Sequence, residues 1–261
     1  MLVRRLREEA ARQNWFGVTI DLVILIAGVF LGIQVNNWNQ DRLDRAEGHD
    51  NRLRMIRDIE NNRLDLASRL AYYRDVKAFA RATLGALDRP VGDDPRAFLV
   101  NAYQASQIIL RRTRRFTYDE ARSTGKIANL GDPGMRERIA NYYIAVEATE
   151  LVFMNTTPYR EHLRSAMPAR AQEAVRSQCA EAIPLAKDGL VLTALPHGCT
   201  IRMDSADATR DAALVRTIPT LRPDLARTMA DSDVKIRLGE VLEAHARQII
   251  GQIEAADLGG S

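Results

Sequence analysis

Apolar residues fill nearly every position from Phe16 to Val35, FGVTIDLVILIAGVFLGIQV. The run is about 20 residues long, the length that carries a helix across a bilayer's hydrocarbon core. Its strongly polar members, Asp21 and Gln34, lie toward the two ends. A helix packed into a soluble core keeps a polar side for water, and this run has none. The pattern predicts a transmembrane helix at 16–35, a basic leader at 1–15, a polar domain at 36–256 and a flexible tail at 257–261.

Beyond the run the spacing changes to that of an amphipathic helix. Leu53, Ile56, Ile59, Leu66, Leu70, Tyr73, Val76, Ala80, Leu84 and Leu87 recur at steps of three, four or seven, which predicts one long helix from Leu43 to Leu87. No proline separates it from the apolar run, so the two can join into a stalk. Asp94-Pro95 then caps a second helix whose apolar side is Phe98, Leu99, Ala102, Tyr103, Ile109 and Leu110. Its expected end is Arg111-Arg112-Thr113-Arg114-Arg115, where cations meet the partial negative charge of a helix C-terminus. Thr117 and Glu120 have capping-box spacing, and Gly125 is placed to close the short helix they open. A helix is expected from Asp132-Pro133 toward Met167, with Pro168 starting a further piece. Residues 183–200 read as irregular, with an extended segment at Leu190-Val191-Leu192. Two helices close the chain, Asp207 to Ile218 and Arg222 to Ala256. The expected fold class is all-α: one N-terminal membrane helix, a long helix, and a helical bundle.

A cleaved signal peptide has a shorter apolar core and a small-residue cleavage site. Here Asn36-Asn37-Trp38-Asn39 follows instead, and Trp15 and Trp38 bracket the run as interfacial rings do. The run therefore reads as an uncleaved anchor. Arg4, Arg5, Arg7 and Arg12 precede it, against Arg42 and Arg45 just after it, which favours an N-terminus inside. Two cysteines, Cys179 and Cys199, fall in the polar domain. In an oxidising compartment they can pair; otherwise they are two thiols.

Over 261 residues the charged fraction is 27% and the hydrophobic fraction 46%, values of an ordinary folded protein rather than a disordered one. The net charge of +3 is spread among interleaved Arg, Asp and Glu. No basic face of the kind that binds nucleic acid stands out.

Candidate chemistry is sparse. His49, His162, His197 and His245 are scattered, and His197-Gly198-Cys199 offers too few ligands for a closed zinc site. No nucleophile elbow, zinc-protease motif or phosphate-cradling glycine pattern occurs. No catalytic residue, metal or cofactor is assigned, although a missing motif does not exclude an enzyme. Two features suggest contacts. Gly17, Asp21, Gly28 and Gly32 share one side of the anchor, and Gly28 to Gly32 is a G-x-x-x-G, the spacing that lets membrane helices approach closely. Glycine is also common in membrane helices generally, so a plain anchor stays open. Arg111, Arg112, Arg114 and Arg115 are either helix-terminal cations or an anion or lipid-headgroup contact.

Three segments carry a resemblance. They are Gly32-Ile33-Gln34-Val35-Asn36-Asn37-Trp38-Asn39 at the end of the anchor, Leu53 to Asn62 in the next helix, and Thr117-Tyr118-Asp119-Glu120-Ala121-Arg122-Ser123-Thr124-Gly125 before Arg136 and Tyr142-Tyr143. Together they resemble a bacterial family of single-pass membrane proteins of unknown function, with Ala121 standing where a leucine is expected. The resemblance implies an anchor and a helical domain and brings no substrate or cofactor. The expected location is the bacterial cytoplasmic membrane, with the main domain periplasmic. The expected role is structural or interaction-based: self-association, or an accessory subunit joined through the anchor helix. The alternatives are an extracytoplasmic anion- or ligand-sensing domain and, third, a membrane-tethered enzyme.

Overall fold

The first helix, α1 (Trp15–Ala86), runs unbroken for 72 residues and takes in both the apolar run and the amphipathic stretch. The structure, a computed structural model, describes residues 15–184 and 191–259, and the side chains of 19–184 and 191–256. The leader at 1–14, Leu190 of the expected extended segment, and the last residues of the tail lie outside them. The chain is 78% helical, without strands among the described residues. It divides into two compact units, Met1–Asp50 and Asn51–Ser261.

In the first unit, every described side chain from 19 to 43 is exposed. This is the one helix, among the described residues, long and apolar enough to cross a membrane.

In the second unit, α1 contributes residues 51–86. The remaining elements are α2 (Pro95–Ala105), α3 (Phe116–Ser123), a 3-10 turn (Lys126–Leu130), α4 (Pro133–Phe153), α5 (Pro158–Ala166), α6 (Ala169–Gln178), α7 (Ser205–Arg216) and α8 (Leu221–Gly259). α8 runs antiparallel to α1. Arg63 lies 3.7 Å from Glu243, Arg74 2.8 Å from Glu240, and Arg222 2.6 Å from Asp88. Each of these two helices serves two cores in turn. Met55, Ile59, Leu66, Leu70 and Tyr73 of α1 pack with Ile139, Tyr143 and Phe153 of α4 and with Leu242, Ile249 and Ile253 of α8. Further along, Ala80 and Ala86 pack with Phe98 and Tyr103 of α2, Tyr159 and Leu163 of α5, Ala212 and Val215 of α7, and Leu221 and Leu225 at the start of α8. Burying each such aliphatic or aromatic side chain contributes about 1.5–3 kcal/mol. The helices approach closely at Gly239, where an added Cβ would stand 2.5 Å from Leu70 and 3.3 Å from Phe153.

Three local expectations are corrected. First, α2 ends at Ala105, ahead of the arginine cluster. Its start is as read: Asp94 accepts from the Ala97 amide at 3.1 Å. At its end, Ser106 turns its hydroxyl back to the Tyr103 carbonyl at 2.6 Å, competing with helix continuation. Residues 107–115 then form a strap running antiparallel to α1, its backbone held by side chains. The Ile109 amide donates to the Tyr73 hydroxyl at 3.3 Å, and the Thr113 amide to Glu150. Asn62 accepts from the Arg114 amide at 3.0 Å and donates to the Arg114 carbonyl at 2.8 Å.

Second, the capping box does not form. α3 begins at Phe116, and the Thr117 amide and hydroxyl both donate to Asp58 of α1, at 3.0 and 2.7 Å. Glu120 faces Arg54 at 3.2 Å instead of the helix start. Gly125 does close the helix, with a φ of 73° that favours glycine. Third, the helix expected to reach Met167 breaks after Phe153, because Pro158 cannot continue one and holds Thr157 extended.

Candidate functional site

In the apolar segment of α1, Asp21, Gly28 and Gly32 are all exposed, and a Cβ added at either glycine would meet nothing within 4 Å. At 100° per residue, Gly17, Asp21, Gly28 and Gly32 fall within an arc of about 60°. At Gly28 and Gly32 this side carries no side chain, so another helix backbone has room to approach there.

The four arginines of the expected anion contact sit in the strap or at its end, and two have described carboxylate partners. Arg111 pairs with buried Asp65 and donates to Thr193 at 3.1 Å. Arg115 holds Asp119 at 2.9 Å and approaches Glu147 at 3.8 Å. Arg114 is fixed through its backbone by Asn62. Arg112 is exposed. Arg111 and Arg115 thus clasp the strap to its surroundings.

Beneath the strap lies a charged group that the sequence pattern did not single out. Asp65 is 4% exposed and Arg69 1%. Arg69 Nε donates to Asp65 at 2.8 Å, while its Nη1 has no acceptor. A cavity of about 10 Å³, room for about one water, is lined there by Arg69, Asp65, Asn62, Thr149 and Glu150 on its polar side. Ser68 and Thr193 exchange hydrogen bonds at 3.0 and 3.1 Å, and Tyr72 donates to Glu181. The irregular segment is docked onto α1 through these contacts.

Cys179 and Cys199 are joined by a disulfide, with their Cα atoms 5.8 Å apart. Gln104, fully buried, donates to the Cys179 carbonyl at 2.8 Å. Within the loop that the disulfide closes, Ala182 and Ala194 form an isolated antiparallel bridge.

The histidines are dispersed. His162 Nδ1 meets Asp224 at 2.7 Å and Thr220 at 3.1 Å, His197 Nε2 meets Asp75 at 3.2 Å, and His245 lies edge-on to Tyr142. Among the described residues, no group of three or more His, Cys, Asp or Glu could hold a metal ion. Lys235, 4% exposed, donates to the Asn155 carbonyl at 3.0 Å beneath the Tyr73 ring. Burial lowers its ammonium to about 8. Burial raises the Tyr73, Tyr143 and Tyr159 hydroxyls, and pushes Tyr142 up to about 12.

A second arginine group lies on α5. Arg164 stacks over the Tyr103 ring, 3.6 Å from its centroid, and donates to Ser106 Oγ at 2.8 Å, to Gln107 at 3.1 Å and to the Tyr103 hydroxyl. Arg160, one turn earlier, donates to the Ser106 carbonyl at 2.6 Å. Comparison with protein-family models, with curated proteins and with solved structures finds no match.

Proposed function

We propose that this chain is a single-pass protein of the bacterial cytoplasmic membrane, with its N-terminus inside and its helical unit in the periplasm. Its role is structural or interaction-based, through self-association or as an accessory subunit of a membrane complex. The observation that carries the reading is the exposure of α1: from Leu22 to Val35 every large apolar side chain is more than half exposed. Each would gain about 1.5–3 kcal/mol on leaving water, so lipid is the medium that fits. The arginines before the run favour the orientation, and the Gly17, Asp21, Gly28 and Gly32 side is the surface for a partner helix.

The test has three arms. Carbonate washing should leave the protein in the membrane fraction. A C-terminal reporter that works only after export should be active. Changing Gly28 and Gly32 together to Ile should weaken cross-linking or co-purification without preventing insertion. Release by carbonate removes the anchor, and activity of a cytoplasm-only reporter reverses the orientation. Unchanged association in the double variant and in Asp21→Leu reduces the anchor to a tether.

A further inference from the structure

A partly buried guanidinium is normally matched by a carboxylate, because charge taken out of water is costly unless paired. Two of the strap arginines obey this rule: Arg111 has Asp65, and Arg115 has Asp119 and Glu147. Arg160 and Arg164 have no such partner among the described residues. Both are half-buried, they are one turn apart on α5, and all four of their described hydrogen bonds go to neutral acceptors. Two acidic side chains of the neighbourhood have other described partners. Glu181 accepts from the Tyr72 hydroxyl, and Glu173 holds Arg176, the third cation of the neighbourhood, at 2.8 Å. Burial, with repulsion from Arg160 added, brings Arg164 down to about 10.

The arrangement is also rigid. Arg164 is fixed by a ring beneath it and by three different acceptors, so its plane and remaining N–H groups have one direction. Two guanidiniums carry ten N–H groups. Four are taken by described hydrogen bonds, leaving six without a described partner. Preorganised donors of this kind lower the ordering cost of binding, and paired guanidiniums match the geometry and charge of a phosphoryl group.

We propose that Arg160 and Arg164 form a clamp for a phosphate group, presented either as a free phosphate or phosphomonoester or as the headgroup of a phospholipid. The site is separate from the anchor and does not depend on the role proposed for it.

The test uses the full chain. In the first arm, protein in a neutral-detergent micelle is titrated with inorganic phosphate against chloride at equal ionic strength, and the thermal midpoint is followed. In the second, the chain is placed in nanodiscs of phosphatidylcholine with or without phosphatidylglycerol, and the lipid retained after extraction is identified by native mass spectrometry. Arg160→Gln removes one guanidinium whose only described bond is to a backbone carbonyl, and Arg164→Lys keeps the charge but loses the fork. Circular dichroism checks that both are folded. The expected result is phosphate-specific stabilisation or retained anionic lipid, weakened about tenfold or more in Arg160→Gln, as loss of a charge-assisted hydrogen bond implies. A response in the first arm assigns a soluble phosphate, and one in the second alone assigns a lipid. No response in either arm overturns the clamp, as does a response that folded Arg160→Gln and Arg164→Lys leave unchanged.

Discussion

Replacing Asp65 by alanine should be among the most damaging single changes in the helical unit. The carboxylate is 4% exposed and serves two cations at once, Arg69 through Oδ2 and Arg111 through Oδ1. Arg111 retains Thr193 and a side chain 24% exposed, so it can turn toward water. Arg69 is 1% exposed and its Nη1 already lacks an acceptor, so without Asp65 it becomes an uncompensated buried charge. Breaking a buried pair in this way costs about 3–5 kcal/mol, against a total stability of about 5–15 kcal/mol for a typical domain. For a unit of this size the thermal midpoint should fall by roughly 6–20 °C. The control is Asp65→Ala with Arg69→Met, which removes the stranded cation and fills its space with a flexible apolar chain. The double variant should recover at least about 2 kcal/mol relative to Asp65→Ala, a coupling expected of residues in one network. Thermal unfolding of the full chain in mild detergent, followed by circular dichroism, measures both. A single variant within about 1 kcal/mol of the parent protein, or a double variant no better than the single, would refute the view that Asp65 neutralises Arg69.

Three further outcomes follow from other sites. Gly239→Leu gains helix propensity of about 1 kcal/mol but drives a side chain into Leu70, Leu66 and Phe153; urea unfolding should show net destabilisation, since overpacking costs about 1–3 kcal/mol and a whole side chain lies toward the upper end, and a stabilised variant would contradict the close approach. Lys235 holds fewer protons when folded than when unfolded between about 8 and 10.5, so stability should rise by about 1 kcal/mol from pH 8 to 9; from about pH 9 upward the buried tyrosines, Tyr142 at about 12 among them, keep protons that the unfolded chain loses, offset the rise and then reverse it, and a rise that persists in Lys235→Met would exclude Lys235 as its source. Cys199→Ser opens a loop with a sequence separation of 20 and should cost about 3 kcal/mol, while unreduced mass spectrometry of native protein should find the Cys179 and Cys199 peptides linked; two alkylatable thiols would exclude the bond.

The sequence made some of this architecture readable and concealed the rest for identifiable reasons. Ile59, Leu66, Leu70, Tyr73, Val76 and Ala80 were marked by spacing alone and are buried in the structure, because helical period and burial are the same geometric fact. Asp94 was legible as a cap because its partner is three residues away. The end of α2 was not, since Ile109 and Leu110 continue the apolar spacing while Ser106 and the hydroxyl of distant Tyr73 decide the path. Thr117 looked like a local cap, but Asp58 outcompetes Glu120 from 59 residues away. Asp65 and Arg69, four apart, do not stand out among the chain's interleaved charges, and only packing makes them a buried pair. Arg160 and Arg164 are likewise unremarkable in a chain whose 37 basic residues are mostly interleaved with acids. What sets them apart is that, among the described residues, no ion pair joins either of them to a carboxylate.

The antiparallel pairing of α1 with α8 has a consequence for how the chain is made. Contacts such as Arg74–Glu240 and Lys77–Asp233 join residues 166 and 156 positions apart. During synthesis α1 therefore emerges well before the helix that pairs with it. Until then Leu66, Leu70 and Tyr73 have only α4 to cover part of their apolar side, and such long-range contacts form slowly and leave surface open to aggregation. A chain stalled or truncated before Leu221 would carry α1, the strap and α4 without the helix that seals both cores, which makes that incomplete form a natural target for holding chaperones and for quality-control proteolysis.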